Sequence, residues 1–228
     1  MSDPDPTADF EPLRFFVIAV DGPAASGKGT VAAGLAKALG LPYLDTGLLY
    51  RAVGVLMQRA GQGLDDEAAA SAQAHLLTAD LLDDPGFRTR GAGEAASRVA
   101  VYPRVRQALL EFQRTFAAQE GGAVLDGRDI GTVIAPDAGA KLYVTATPEV
   151  RAERRWKQLK AGGEAVEFAD VLADIRKRDA RDGGRDAAPM KPAADAVLLD
   201  TSEMTIEAAA DAARRIVEAA RARWKPSA

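Results

Sequence analysis

The chain has 228 residues, no cysteine, one histidine and a formal net charge of −4, with 47% hydrophobic and 27% charged residues. That length buries a full core as one domain with insertions. The composition excludes disulfides, thiolate nucleophiles and multi-histidine metal sites, and its acidic balance argues against non-specific binding to nucleic acid or membrane surfaces.

Residues 1–13 hold three Asp, three Pro and no basic side chain, which reads as a disordered leader and not as a signal peptide. No apolar run approaches the roughly 20 residues of a membrane span, so the expectation is a soluble, cytoplasmic protein. Phe15–Val20 is a first strand. Gly22, Pro23, Ala24, Ala25, Ser26, Gly27, Lys28, Gly29 and Thr30 follow it and open onto a helical pattern, Lys28–Leu39, that stops at Gly40. Strand, glycine-rich turn and helix together make a phosphate-binding loop. Its glycines let backbone N–H groups face a polyphosphate, the helix N-terminus adds a positive dipole end, and Lys28 adds a full charge. A turn that only packs a helix on a sheet would not need the lysine.

Pro42–Leu44 is a second strand, and Gly47–Ala60 a helix after it. Thr46 and Gly47 sit at its start, with Arg51 one turn on, where an anion could be held; taken alone, an N-cap with a solvent-facing arginine explains them at least as well. His75 lies in an alanine-rich helix-like stretch and reads as a helix residue without a catalytic part. Ser97, Arg104 and Arg106 flank the start of a helix over Pro103–Gln119. Ala123–Leu125 is the third strand, followed by Asp126-Gly127-Arg128-Asp129. Here Asp126 can hold the waters of a Mg²⁺, Arg128 can bind phosphate and Asp129 can accept from a substrate amino group, or the four residues are a charged turn. Arginine is the default cation of this chain, at 21 residues against eight lysines, so an arginine counts only inside such a motif.

Lys141–Thr145 and Val197–Leu199 complete five strands. Thr147-Pro148-Glu149 starts a helix to about Lys160, another spans about Phe168–Arg181, and Thr205 caps the last. The alternation predicts an α/β fold, a doubly wound five-stranded parallel sheet with its ligands at the carboxyl ends of the strands. Two segments depart from the alternation, 62–106 and 151–186. The charge cluster Arg176–Asp186, with Gly183-Gly184, suits a hinged lid or a solvated helix end.

In order along nearly the whole chain, these motifs resemble the bacterial cytidylate kinases, and the Gly-Lys-Gly-Thr ending of the loop already resembles the nucleoside monophosphate kinases. The resemblance implies a monomer with the phosphate-binding-loop fold that transfers the ATP γ-phosphoryl, with Mg²⁺, to CMP or dCMP. It implies that 62–106 is the monophosphate-binding insertion and 151–186 the lid. Carried over, Thr46, Arg51, Arg128 and Arg185 hold the CMP phosphate, Ser97, Arg106 and Asp129 read cytosine, and Arg178 and Asp182 contact the ribose. Lys28, Arg128, Arg178 and Arg185 become the catalytic cations, and Thr30 and Asp126 (through water) the metal-facing pair. The family commonly has a small strand-rich insertion where Leu76–Glu94 is short and rich in Asp and Gly. A kinase for UMP, AMP or a metabolite hydroxyl on the same fold is the alternative; a GTPase-type switch would want an Asn-Lys-x-Asp string, and the chain has none.

Overall fold

Strand β1 (Val17–Asp21) feeds the glycine-rich turn and helix α1 (Lys28–Leu39), and β2 (Tyr43–Asp45) runs directly into α2 (Thr46–Arg59). Helix α3 (Glu67–His75), two short 3₁₀ turns, α4 (Arg90–Val99) and α5 (Pro103–Ala117) precede β3 (Ala123–Gly127). A single π-helical turn, Ile130–Ile134, leads to β4 (Ala140–Thr145), α6 (Pro148–Ala161), α7 (Phe168–Gly183), β5 (Val197–Asp200) and α8 (Ile206–Arg221). The structure is a computed structural model that describes residues 11–186 and 188–225, without the side chain of Arg90.

The sheet has five parallel strands in the order β2-β3-β1-β4-β5, as the alternation predicts. Every residue of β1 is buried, because Ile18 and Val20 face α1 and α8 while Val17 and Ala19 face α5. A strand covered on both faces reads as a continuous apolar run. Two helix starts follow their expected chemistry: Thr147 Oγ1 accepts from the Val150 N–H (3.3 Å) and Thr205 Oγ1 from the Ala208 N–H (3.2 Å), each satisfying an orphan donor.

Three expectations shift. The first ten residues of the expected leader lie outside the described residues, but its end is packed: Leu13 is buried, and the Glu11 carbonyl accepts from Arg114 on α5 at 2.8 Å. A boundary at residue 13 therefore falls too late. The first strand begins at Val17, and Phe16 instead meets Trp224 edge-on at 5.5 Å. Ser97 lies inside α4 and not beside a helix start. Two glycines in α4 weaken its intrinsic helicity; it forms because its alanines pack on α2, where a Cβ at Gly54 would stand 2.6 Å from the Ala95 Cβ.

Between residues 62 and 106 the described residues form helices and turns and no strand, in line with the short, polar 76–94 stretch. Helices α6 and α7 pack on each other through Ala152, Leu159, Val166, Val171 and Ile175. This small core also touches Ala24 and Ala25 of the glycine-rich turn.

Candidate active site

The glycine-rich turn owes its shape to close approach. Gly22 has φ +145°, and a Cβ there would lie 2.0 Å from the Val144 carbonyl oxygen of β4. Gly27, at φ +89°, sets the α1 N-terminus, a conformation that non-glycine residues rarely adopt. Lys28 opens the helix. Its Nζ stands 3.8 Å from Asp126 Oδ2, with 14% of the side chain exposed. Burial first, then the charge of Arg128, pulls the ammonium down to about 8.

Register brings the strand ends together. Asp45 pairs with Asp126 across β2 and β3, and Asp21 with Gly127 across β1 and β3. Around these ends one cavity collects Lys28, Thr46, Arg51 and Asp126 with Ser97 and Arg106, and it also takes in Arg128, Asp129, Arg178, Asp182 and Arg185. Residues from six separate stretches of sequence thus share one space. Arg51 bonds Asp45 at 2.5 Å. The Thr46 hydroxyl donates to the Asp126 carbonyl at 2.8 Å, so its proton is already spent and the residue is left to face an anion through its backbone N–H at the start of α2. Arg106 pairs with Asp129 and lies 5.7 Å from the Tyr50 ring centre.

Asp182 is the hub of the cavity's cations. Arg128 Nε donates to it at 3.1 Å, Arg178 Nε stands 3.7 Å away, and Ser97 Oγ donates at 3.4 Å. Burial pushes its carboxyl upward, but Arg128, Arg178 and Arg185 outweigh that and hold it below the usual range. Crowding acts the other way on the cations: burial and Arg128 lower Arg178 to about 10. Closely set, partly desolvated cations of this kind are matched to a polyanion, whose arrival relieves their mutual repulsion.

The cytidylate kinase family model matches residues 18–220. The chain belongs to the cytidylate kinase family. It is 71% identical over 210 residues to the cytidylate kinase of Caulobacter vibrioides, covering 92% of this chain and 99% of that one. Against the cytidylate kinase of Xanthobacter autotrophicus the identity is 62%, over 90% and 99% of the two chains. A crystal structure of a Eubacterium ventriosum protein shares the fold at a TM-score of 0.52 and 14% identity, over 91% of this chain and 99% of that one.

The geometry also holds residues that no motif reading singled out. A second cavity, on the other side of the loop, is lined by Ser26, Gly27 and Thr30 together with Arg154, Thr201 and Met204. Arg154 donates to the Thr201 carbonyl (2.6 Å) and Oγ1 (3.0 Å), and Thr201 Oγ1 donates to the Ser26 carbonyl (3.0 Å). The expected metal-facing pair is split, since Thr30 lines this cavity and Asp126 the other. Tyr50 lines the first cavity as well, and Tyr43 Oη donates to Asp126 Oδ1 at 3.0 Å.

Asp21 is the other omission. Its buried carboxylate accepts from the Ile130 N–H (2.8 Å) and the Gly131 N–H (2.7 Å), capping the π-turn that follows Arg128 and Asp129. Burial outweighs those two donors and raises the carboxyl from 3.8 to about 7. The folded chain therefore binds a proton here that the unfolded chain releases near pH 4. The associated stability is complete below that pH and is lost as the pH rises through about 7. Between pH 4 and 8 the wild-type chain is expected to lose a few kcal/mol more stability than Asp21→Asn, at about 1.4 kcal/mol per pKa unit. Urea melts of both proteins at the two pH values measure this; parallel pH profiles would exclude Asp21 as the titrating group.

Proposed function

We propose that the protein phosphorylates CMP and dCMP with ATP, by direct in-line transfer of the γ-phosphoryl to a phosphate oxygen of the acceptor, and that it works as a cytoplasmic monomer without nucleic-acid partners. The observation that carries the reading is one cavity that joins Lys28 and the Arg51, Arg128, Arg178 and Arg185 cations to the Ser97, Arg106 and Asp129 polar set.

On this reading the glycine-rich loop, Gly22 to Thr30, takes the ATP phosphates, with the donor nucleoside in the cavity of Arg154, Thr201 and Met204. Thr46, Arg51, Arg128 and Arg185 hold the acceptor phosphate, and Arg178 and Asp182 the ribose. Asp129 accepts from the cytosine amino group while Ser97 and Arg106 donate to the ring nitrogen and carbonyl. The nucleophile is already an anion near neutral pH, so no side chain need remove a proton from it. The cations offset charge repulsion between the two phosphates, bring them into line and stabilise charge on the transferring group. Segment 62–106 is the monophosphate-binding part. Helices α6 and α7, with their own core, form a lid over 151–186 that excludes water when it closes.

The donor set fits a hydrated Mg²⁺. Asp126 is buried at a strand end, and burial raises its carboxyl while Lys28 opposes that rise. Among the described residues no three His, Cys, Asp or Glu side chains form a cation cage; Mg²⁺ keeps most of its waters and binds through one or two carboxylates and the substrate phosphates. Bound with ATP, it would neutralise charge on the outer phosphates. On this reading Asp126 would hold its water shell, whereas Thr30 lines the cavity taken for the donor nucleoside.

ADP formation measured with CMP, dCMP, UMP and AMP as acceptors tests the assignment. Comparable turnover of CMP and dCMP, with UMP and AMP at least about a hundredfold less efficient, is the expected result. Equal or better rates with UMP or AMP would transfer the reading to another acceptor.

A further inference from the structure

The phosphate-binding loop contains a strained residue. Ala25 has φ +60°, a left-handed conformation in which an alanine Cβ crowds the following carbonyl. Such a conformation persists where the surroundings over-determine it, and here the carbonyls on both sides of Ala25 are tied. The Ser26 carbonyl accepts from Thr201 Oγ1 at 3.0 Å and from Arg154 at 3.3 Å. The Ala24 carbonyl accepts from Arg151 at 3.2 Å.

The ties come from two places: Thr201, just past β5, holds the Ser26 carbonyl from the end of the sheet, while Arg154 and Arg151 hold the loop from α6. Arg151 belongs to the first turn of α6, is 3% exposed, and also donates through Nε to the Ala146 carbonyl at 2.9 Å. The rest of its guanidinium is spent on both oxygens of Asp179, at 3.0 and 2.6 Å. Asp179 lies on α7 between Arg178 and Asp182, the two residues of that helix that line the acceptor cavity. One helix therefore carries acceptor contacts on one side and the tether of the donor loop on another. A forked pair is sensitive to displacement, because shifting one partner breaks parallel bonds together, and a lysine could satisfy only part of the set.

We propose that Arg151 is a positioning residue for the donor phosphates and that Asp179 makes its hold on the loop depend on α7, so that an acceptor engaging α7 tightens the donor site. This rests on the glycine-rich loop being the donor site. The binding coupling between two ligands is reciprocal and measurable without turnover.

The test is calorimetric titration of MgADP, with and without CMP, into the full chain of the wild type, Arg151→Lys, Asp179→Asn and Lys28→Ala. In the wild type, CMP is expected to tighten MgADP severalfold. In Arg151→Lys and Asp179→Asn, MgADP alone weakens by about tenfold, the tightening by CMP shrinks to a factor of about one, and CMP alone binds within about threefold of wild type. Unchanged MgADP affinity and undiminished tightening in both variants would overturn the inference, as would equal weakening of CMP and MgADP, the mark of general damage. If the wild type binds no MgADP, or Lys28→Ala binds it as well as wild type does, the donor-site reading itself fails and the inference falls with it.

Discussion

Lys28→Ala lowers turnover of CMP by about 10³-fold or more while the melting temperature stays near that of the wild type. Removing one preorganised neutral donor from a reacting oxyanion costs about 10²–10³-fold, and Lys28 contributes a full charge from a site where little water screens it. Its Nζ, 3.8 Å from Asp126, is balanced between that carboxylate and the repulsion of Arg128. A polyphosphate entering the loop replaces the weak contact with a strong one. Folding does not depend on the lysine, because the α1 core is made by Val31, Ala32, Leu35 and Ala36. The depressed ammonium adds a second signature. The free protein loses this charge as the pH rises through about 8, so kcat/KM for ATP should fall above that pH. Bound phosphate holds the proton on, so kcat should persist to higher pH. Near-wild-type turnover in the variant, or a flat kcat/KM profile to pH 9, would remove the lysine from the mechanism.

What the chain reveals in advance divides along the range of the interaction. The caps at Thr147 and Thr205 and the helix end at Gly40 are set by neighbours a few residues away, so their chemistry is visible in a string; the glycine-rich loop is visible as a motif, although the Val144 carbonyl that demands Gly22 is not. Thr46, Asp126, Arg128 and Asp129 are legible for a related reason, since they sit at strand ends, where a parallel sheet must place its ligands; Ser97, Arg106, Arg178 and Asp182 lie on helices and stand out only through the family resemblance. Helix α4 is not legible: Gly91 and Gly93 interrupt its pattern, and the surface that rescues it belongs to α2. Asp21 looks like the last residue of a strand, while the N–H groups that explain it lie 109 and 110 residues away. Arg151 and Arg154 stand in a charged helix and resemble solvated residues until their partners at Ala24 and Ser26 come into view. The Gly183-Gly184 pair shows the reverse. Gly184 has φ −93°, which any residue adopts, but a Cβ there would stand 2.9 Å from the Ala180 carbonyl oxygen, so glycine serves a close approach at the helix end and not a left-handed backbone.

Asp129→Asn lowers kcat/KM for CMP by about 10²-fold and brings the preference for CMP over UMP to within about tenfold, while MgADP binding stays within about twofold of wild type. Cytosine offers an amino group beside an unprotonated ring nitrogen, and uracil offers a carbonyl beside an N–H. A carboxylate can only accept, so Asp129, 5% exposed and paired with Arg106, suits the amino group and repels the uracil carbonyl. An asparagine can present either its oxygen or its NH₂ to the base and so loses the power to refuse. Arg106 keeps much of its place in the variant, because the Tyr50 ring and the Ala100 carbonyl, at 3.5 Å, still engage it. The donor loop lies outside this contact set, which is why MgADP affinity separates a specific loss from a collapsed site. If the variant kept the wild-type preference for CMP, base reading would have to pass to Ser97 and Arg106 alone. If it lost CMP, UMP and MgADP together, Asp129 would hold up the site and not read the base.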